Sequence, residues 1–212
     1  MKITGAIFDF DGTLFDSMHV WHGVRYKFFD RIGLVLSEED EEAFQGLYLR
    51  ESIILAKERF NLPDTHEELF AKFFELIKEM YLADTCPKND IIEFLEKLKS
   101  KGIKMGIATA TGEPALIAVL EKYNMLHYFS AIYSTYTVGA AKTEPKVYNV
   151  VLDAIGTEKE TTWVFEDALY AATTAKADGF PVVGIYDKSE KNTDELKELV
   201  DVYIHNYSEL DI

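Results

Sequence analysis

Two aspartates that follow the first apolar run of the chain carry the groups needed to hold a cation or to exchange a proton. Asp9 and Asp11 come directly after residues 3–8, which are mostly apolar. Side chains two positions apart on an extended chain share a face, so both carboxylates point beyond the strand end. Because neighbouring carboxylates repel each other, the pair requires a shared proton or a cation. Taken alone, it fits a solvated turn at Gly12 equally well.

Polar side chains also follow three later apolar runs. Thr109 and Ala110 precede a predicted helix N-terminus, which is a favourable place for a phosphate. Lys142 follows the next run, and the acidic pair Glu166 and Asp167 follows a third. Each has an ordinary structural explanation, as a strand-end hydroxyl, a surface lysine, or acids that favour a helix dipole. Their order favours one shared site, because the carboxyl ends of parallel strands line one crevice.

Hydrophobic periodicity predicts the elements that position these residues. Short apolar runs rich in Val, Ile and Tyr have the length of buried strands. The segments between them have a helical period, for example residues 89–101 and 113–123. Because strand and helix alternate, the sequence predicts an α/β fold with a doubly wound, mostly parallel, Rossmann-like sheet. The predicted strands are residues 3–8, 104–109, 131–134, 162–165, 182–186 and 202–204.

One region interrupts the alternation. Residues 17–83 contain no strand pattern but three or four helical patterns rich in Phe, Leu and Tyr. Two of these begin with capping boxes, one from Ser37 to Asp40 and the other from Thr65 to Glu68. We therefore predict an inserted all-helical cap domain. The predicted division is residues 1–15 and 86–212 for the core and 16–85 for the cap, with hinges near 13–17 and 83–88.

Charge and cysteine content restrict the partners and the setting. The chain has 212 residues, with 22 Lys and Arg against 37 Asp and Glu, and a net charge of −15. We expect no nucleic-acid or membrane partner, because both require a clustered basic face. The single cysteine, Cys86, forms no internal disulfide, and no apolar run is long enough to span a membrane. These features predict a cytoplasmic protein.

The polar strand ends resemble the signature of the haloacid-dehalogenase superfamily of phosphohydrolases, over essentially the whole chain. The first and last of the matching segments are specific, and the middle two gain weight from their position. The resemblance implies a phosphatase that forms a phosphoaspartate and uses Mg²⁺ as its cofactor. The matching segments are DFDGTLFDS at 9–17, IATAT at 107–111, AAKTEPKVY at 140–148 and VFEDALYAATTAKADGF at 164–180.

The resemblance also implies a role for each candidate residue. Asp9 matches the nucleophile, and Asp11 matches the acid that protonates the leaving oxygen and later activates water. Thr109, Ala110 and Lys142 match positions that hold phosphate oxygens. A divalent cation is needed because a carboxylate that approaches a phosphate dianion is repelled. The implied Mg²⁺ ligands are Asp9, the backbone carbonyl of Asp11, Glu166 and Asp167.

Differences from the family pattern, and the presence of Asp11, restrict which of the family's activities the chain is expected to have. The usual Lys-Pro-x-Pro motif reads Lys-Thr-Glu-Pro at 142–145, which loosens the loop assignment but leaves Lys142 in place. Relatives that cleave carbon–halogen bonds or phosphonates lack an acid at the position of Asp11, so its presence disfavours both activities. The mutases of the family carry a His where this chain has Trp21, and that difference favours a phosphatase.

The helical insertion resembles the small cap of the subgroup that contains phosphoglycolate phosphatases, sugar-phosphate phosphatases and β-phosphoglucomutase. Such caps close over the site and contribute specificity contacts. Trp21 and Arg50 are the predicted specificity residues, with core packing and surface ion pairing as the alternatives. We expect a Mg²⁺-dependent hydrolase of a small phosphorylated metabolite, as a monomer or weak homodimer. A phosphosugar mutase is the alternative, and a non-enzymatic receiver-like phospho-switch is a distant one.

Overall fold

The main sheet of the molecule is parallel, in a computed structural model that describes residues 2–45, 47 and 49–212. The strands are β1 (Gly5–Phe8), β2 (Phe15–Asp16), β3 (Cys86–Pro87), β4 (Lys104–Thr109), β5 (Ala131–Ser134), β6 (Thr162–Glu166), β7 (Val182–Ile185) and β8 (Val202–Ile204). Across the described residues the sheet order is β5-β4-β1-β6-β7-β8, with every neighbouring pair parallel. The predicted α/β class and all of the predicted strands are confirmed.

Helices cover both faces of the sheet. Side chains of β1 alternate between two buried layers, since Ala6 and Phe8 belong to one apolar cluster and Ile7 to the other. Burial on both faces explains why the strands are almost continuously apolar. The helices are α1 (Met18–Trp21), α2 (Val24–Arg31), α3 (Glu38–Phe44), α4 (Leu49–Arg59), α5 (His66–Asp84), α6 (Ile91–Ser100), α7 (Glu113–Lys122), α8 (Thr135–Val138), α9 (Lys146–Ile155), α10 (Leu169–Ala177) and α11 (Thr193–Leu199).

The segment between β2 and β3 is helical in its described part. It holds five helices, α1 to α5, so the expectation of three or four was wrong. The additional helix, α1, is a single turn separated from α2 by His22 and Gly23, of which Gly23 has a φ of 71°. One turn is too short to show a period. Both predicted capping boxes are confirmed, one between Ser37 and Asp40 and the other between Thr65 and Glu68.

The two connections to this helical segment are paired. Phe15 lies opposite Pro87 and Asp16 opposite Cys86 in the antiparallel pair β2–β3. Strands of two residues show no alternation, which is why the sequence pattern did not predict them. The pairing brings the beginning and the end of the helical segment together beside the carboxyl end of β1. None of the described helices combines the length and apolar character needed to cross a bilayer.

Connections to β1 fix the position of a crevice. The strand lies between β4 and β6, and the chain continues to β4 and β5 on one side and to β6, β7 and β8 on the other. In open α/β sheets, the point where the strand order reverses leaves a crevice at the carboxyl ends of the strands. The residues that follow β1, β4 and β6 therefore face a common space.

Candidate active site

Four charged side chains meet at this crevice. Asp9 follows β1, Glu166 ends β6 and Asp167 follows it, while Lys142 comes from the loop between α8 and α9. The Lys142 ammonium donates hydrogen bonds to Asp9 Oδ1 and, at 2.5 Å, to Glu166 Oε1. None of the four side chains belongs to a residue that is more than 7% exposed. The tertiary structure thus brings together residues that are separated by up to 158 positions in the chain.

Three of these residues could hold a cation. Carboxylate oxygens of Asp9, Glu166 and Asp167 lie within 4.8 Å of one another. Glu166 Oε1 accepts hydrogen bonds from Lys142 and Tyr148, but the buried Oε2 has no hydrogen-bond partner among the described residues. Thr13 donates to Asp167 Oδ1 at 3.0 Å and so orients that carboxylate. An unpaired buried oxygen beside two further carboxylates fits Mg²⁺, which prefers oxygen ligands.

Burial makes the ionised form of these acids costly. It raises the pKa of Asp9 to about 8, with Lys142 opposing the rise and Glu166 adding to it. Burial and the charge of Asp9 raise the pKa of Asp167 well above its usual range. For Lys142, burial opposes the charge, but the two carboxylates it contacts hold its pKa above the ordinary value. A cation bound among these acids would favour the ionised form of Asp9, because an opposite charge stabilises a carboxylate.

The side chain of Asp11 has a different environment from the other acids. Its Oδ1 accepts hydrogen bonds from Ser17, at 2.6 Å, and from the hydroxyl of Tyr81, while its Oδ2 accepts one from Thr111. Burial and the neighbouring Asp11 charge raise the pKa of Tyr81 well above its usual range, so the phenol remains a donor. The Asp11 carboxyl group thus lies among hydroxyl groups. The contribution of its backbone carbonyl to a metal site stays a prediction.

The end of β4 contributes to the same space through Ala110, which was among the predicted residues, and through Thr111. Ala110 and Thr111 line the cavity at the crevice. Thr109 is fully buried, and its hydroxyl oxygen accepts a hydrogen bond from the Thr111 backbone amide at 2.9 Å. Thr109 is not among the described residues that line the cavity. Its hydrogen bond with the Thr111 amide instead stabilises the turn after β4. The roles of Thr109 and Ala110 in phosphate binding stay predictions.

The cavity has a volume of about 360 Å³, and its wall combines charged and aromatic side chains. Trp21, from α1, lines it, and its specificity role stays a prediction. Arg50, from α4, is exposed, and its guanidinium lies 5.8 Å from the ring centroid of Phe70. It is absent from the cavity wall in the part of the chain that is described, so its specificity role stays a prediction. The lining residues are Asp9, Asp11, Met18, Trp21, Ala110, Thr111, Tyr136, Lys142, Glu166, Asp167, Ala168 and Tyr170.

Sequence reasoning missed several residues of this site. Ser17 and Thr111 both lie inside segments that carried the family resemblance, and hydroxyl groups so near Asp11 and Thr109 were a usable signal. The sequence gave no comparable signal for three tyrosines, because aromatic residues in helices usually pack in a core. They are Tyr81, Tyr136 and Tyr170. In the structure, Tyr136 and Tyr170 are 54% and 53% exposed at the cavity wall, which distinguishes them from core residues.

Known proteins resemble the chain in both sequence and fold. The phosphorylated carbohydrates phosphatase of Thermotoga maritima is 28% identical over 182 residues, which are 82% of this chain and 81% of that protein. Hexitol phosphatase B of Escherichia coli is 25% identical over 217 residues, covering 99% and 95%. The crystal structure of CbbY from Rhodobacter sphaeroides in complex with phosphate has a TM-score of 0.78 at 19% identity, covering 98% and 96%. That last likeness shows a shared fold.

A family model covers most of the chain. The model for haloacid dehalogenase-like hydrolases matches residues 6–185. The matched range begins within β1 and ends with β7, so it includes Asp9, Lys142 and Asp167. The match agrees with the resemblance of the polar strand ends and with the observed sheet. The chain belongs to the family of haloacid dehalogenase-like hydrolases.

Proposed function

We propose that the chain is a Mg²⁺-dependent phosphomonoesterase that hydrolyses a small organic phosphate, such as a sugar phosphate, through a phosphoaspartate. The observation that carries the proposal is the environment of Asp9. Its carboxylate accepts a hydrogen bond from Lys142 and lies within 4.8 Å of oxygens of Glu166 and Asp167. Asp11 lines the same cavity in a separate hydroxyl environment. This arrangement supports a nucleophile beside a cation site, with an acid close by.

The first step would transfer the phosphoryl group to Asp9. A carboxylate oxygen of Asp9 attacks phosphorus, the bond from phosphorus to the ester oxygen breaks, and Asp11 gives its proton to that departing oxygen. Lys142, Thr109 and Ala110 are the proposed partners of the phosphate oxygens. Orientation of the phosphate in line with Asp9 and stabilisation of its charge would supply much of the rate acceleration.

The second step would release inorganic phosphate. A water molecule attacks phosphorus, and the Asp11 carboxylate, which lost its proton in the first step, accepts a proton from that water. The bond between phosphorus and the Asp9 oxygen breaks. Both aspartates return to their starting forms, so the cycle balances in atoms and charge. Asp11 thus serves as acid and then as base.

Asp9, the backbone carbonyl of Asp11, Glu166 and Asp167 would hold Mg²⁺. When bound, the ion supplies positive charge that offsets the repulsion between an anionic nucleophile and an anionic phosphate. Lys142 adds a fixed positive charge in contact with both Asp9 and Glu166. The unpaired Glu166 Oε2 supports this ligand set, because a buried carboxylate oxygen without a partner is costly.

We assign residues 1–15 and 86–212 to a catalytic core and residues 16–85 to a cap domain. The paired strands β2 and β3 support this division, since both connections run through them. Trp21 from α1 and Tyr81 from α5 reach the site from the helical segment, and this supports a contribution of the cap to water exclusion. Trp21 and Arg50 are the proposed specificity residues.

A small phosphorylated metabolite is the proposed partner of the site. The names of two relatives, a phosphorylated carbohydrates phosphatase and a hexitol phosphatase, support a polyol or sugar phosphate. The net charge of −15 supports the absence of nucleic acid and anionic membranes among the partners. We further propose a cytoplasmic location and a monomer or weak homodimer.

A phosphatase assay tests the function. Purified protein with Mg²⁺ should release phosphate from members of a panel of sugar, hexitol and small-acid phosphates. Asp9→Asn should lower turnover by about 10³-fold or more, because the amide is a poor nucleophile. Asp178→Asn, in an ion pair with Lys159 elsewhere in the fold, is the matched control and should retain turnover.

Two results would contradict the proposal. The first is the absence of phosphate release across the panel with Mg²⁺, and the second is full activity of Asp9→Asn. Isomerisation of a hexose 1-phosphate that requires catalytic bisphosphate, in place of phosphate release, would assign the site to a phosphosugar mutase. Trp21, at the position where the mutases carry a histidine, argues against that outcome.

A further inference from the structure

Tyr81 occupies an unusual place for a helical residue of the inserted segment. It lies in the last turn of α5, three residues before the helix ends at Asp84, and it is fully buried. Its ring packs against Phe10 with a centroid distance of 5.9 Å and meets the edge of Trp21 at 6.3 Å. The ring is therefore held by one residue that precedes Asp11 and by one from α1.

The Tyr81 hydroxyl is aimed at the carboxyl group of Asp11. It donates a hydrogen bond to Asp11 Oδ1 and lies 3.2 Å from the Thr111 hydroxyl, which itself donates to Asp11 Oδ2. Ser17 donates to Oδ1 as well. Asp11 is thus held by three hydroxyl groups from three separate parts of the chain.

Hydroxyl groups suit a carboxyl group that changes charge during a reaction. A hydroxyl either donates or accepts a hydrogen bond, so the same partners can hold a carboxylate and a carboxylic acid. In the described part of the chain, Asp11 forms no ion pair that would favour one charge form permanently. Asp9, by contrast, contacts the ammonium of Lys142.

The geometry points to Tyr81 as a positioning residue that holds the Asp11 carboxyl group toward the ester oxygen of the substrate. This inference rests on the proposed phosphatase function. Tyr81 acts through Asp11 and does not touch the reacting atoms, so its loss leaves the acid present but removes one of the two hydroxyl partners of Oδ1 and loosens the orientation of the carboxyl group. Because Tyr81 belongs to α5, it also links the helical segment to the proton transfer.

The inference predicts a loss of rate that depends on the leaving group. Benzyl phosphate releases an alkoxide, which needs a proton as it departs, whereas p-nitrophenyl phosphate releases a stabilised phenolate that needs little help. Tyr81→Phe should lower kcat for benzyl phosphate by about 10- to 100-fold, because misplacing a catalytic group by a small distance is costly. For p-nitrophenyl phosphate the loss should stay below about threefold, with KM for both nearly unchanged.

Tyr128→Phe is the matched control. Tyr128 is also a buried tyrosine whose hydroxyl donates to a carboxylate, that of Glu96, and neither residue lines the cavity. Its substitution removes the same group in a comparable setting and should leave the ratio of the two rates at the wild-type value. Far-ultraviolet circular dichroism and thermal unfolding of both variants report their folding.

A double-mutant cycle tests whether Tyr81 acts through Asp11. In an Asp11→Asn background, adding Tyr81→Phe should change benzyl phosphate turnover by less than about twofold, because the partner has already been removed. Should Tyr81→Phe fail to fold, Thr111→Val removes the hydroxyl that donates to the other oxygen of Asp11 and should give the same dependence on the leaving group.

Several outcomes overturn the inference. Equal losses of Tyr81→Phe on both substrates would assign Tyr81 a general structural role. Unchanged or faster turnover of benzyl phosphate by Tyr81→Phe would show that Asp11 does not depend on the Tyr81 hydroxyl. A full further loss of turnover when Tyr81→Phe is added to Asp11→Asn would show that Tyr81 does not act through Asp11. A wild-type protein that hydrolyses neither ester would overturn the phosphatase function and this inference together, whereas active wild type with an indifferent Tyr81→Phe overturns the inference alone.

Discussion

A Cβ atom built on Gly12 would lie 2.2 Å from Asp167 Oδ2, so the backbone after β1 passes directly against a carboxylate of the candidate cation site. Gly12 also has a φ of 77°, which residues with a side chain rarely adopt. Asp167 is held by Thr13, so it cannot withdraw without losing that hydrogen bond. The turn that carries Asp11 therefore packs directly against the Asp167 side chain, and only glycine leaves enough space at position 12.

Gly12→Ala should lower both stability and turnover. The strained φ and the collision with Asp167 together should cost more than about 2 kcal/mol of unfolding free energy, and turnover should fall by about 100-fold, because the carboxylate is displaced. Denaturant unfolding and a phosphatase assay measure the two effects.

Gly23→Ala is the control for that change. Gly23 has a φ of 71°, but no described atom beyond its chain neighbours lies within 4 Å of an added Cβ. Gly23→Ala should therefore lose about 1–2 kcal/mol of unfolding free energy, from the unfavourable φ alone, and keep its turnover. Equal stability and turnover of the two alanine variants would contradict the close fit of Gly12 to Asp167.

Mg²⁺ should stabilise the folded protein in the absence of substrate. Binding to the folded state alone adds about 2.7 kcal/mol at a hundredfold excess over Kd, which corresponds to a rise in Tm of several degrees. Asp167→Asn should abolish the rise, because it removes one of three clustered carboxylates. Differential scanning fluorimetry with and without Mg²⁺ measures the Tm of both proteins.

Asp178→Asn is the control and should keep the rise in Tm. The same Tm with and without Mg²⁺ in the wild type would exclude a cation at this site.

Removing Lys142 should destabilise the protein. Lys142 is 4% exposed and its ammonium contacts Asp9 and Glu166, so Lys142→Met would leave buried carboxylates without their partner. The expected loss is about 3–5 kcal/mol of unfolding free energy at neutral pH. Lys176→Met removes a far more exposed ion pair with Asp201 and should cost less than about 1 kcal/mol. Similar unfolding midpoints for these two variants in urea would contradict the buried role of Lys142.

The capping box of α3 should make stability depend on acid pH. The hydrogen bonds from Ser37, together with Arg59, lower the pKa of Asp40 to about 2. Since the folded pKa lies below the unfolded value of 3.8, ionised Asp40 stabilises the fold above that value, and this contribution is lost as the pH falls toward 2. The difference in Tm between wild type and Asp40→Asn should be largest near neutral pH and shrink in acid. A difference that stays constant with pH would show that ionisation of Asp40 does not matter.

Local features of the chain were readable without coordinates. Apolar runs predicted β4 at 104–109, β5 at 131–134 and β8 at 202–204 with the observed bounds, because strands of a sheet covered by helices are mostly apolar. The capping boxes at Ser37 and Thr65 were also predictable, since a cap joins residues three positions apart. The convergence of Asp9 with Asp167 followed from parallel strands, whose carboxyl ends share an edge. Lys142 lies in the loop after α8, so its contact with Asp9 also depends on the path of that loop.

Packing in three dimensions was needed for the rest. Tyr81 and Thr111 are 70 and 100 positions from Asp11, and their contacts with it depend on how α5 and the end of β4 pack beside β1. Thr109, a matching hydroxyl, uses its visible contact for the turn instead of the cavity. The sequence pattern shows which side chains follow each strand. Which of them reach the same space depends on helix packing and rotamers, and these are set by contacts between residues distant in the chain.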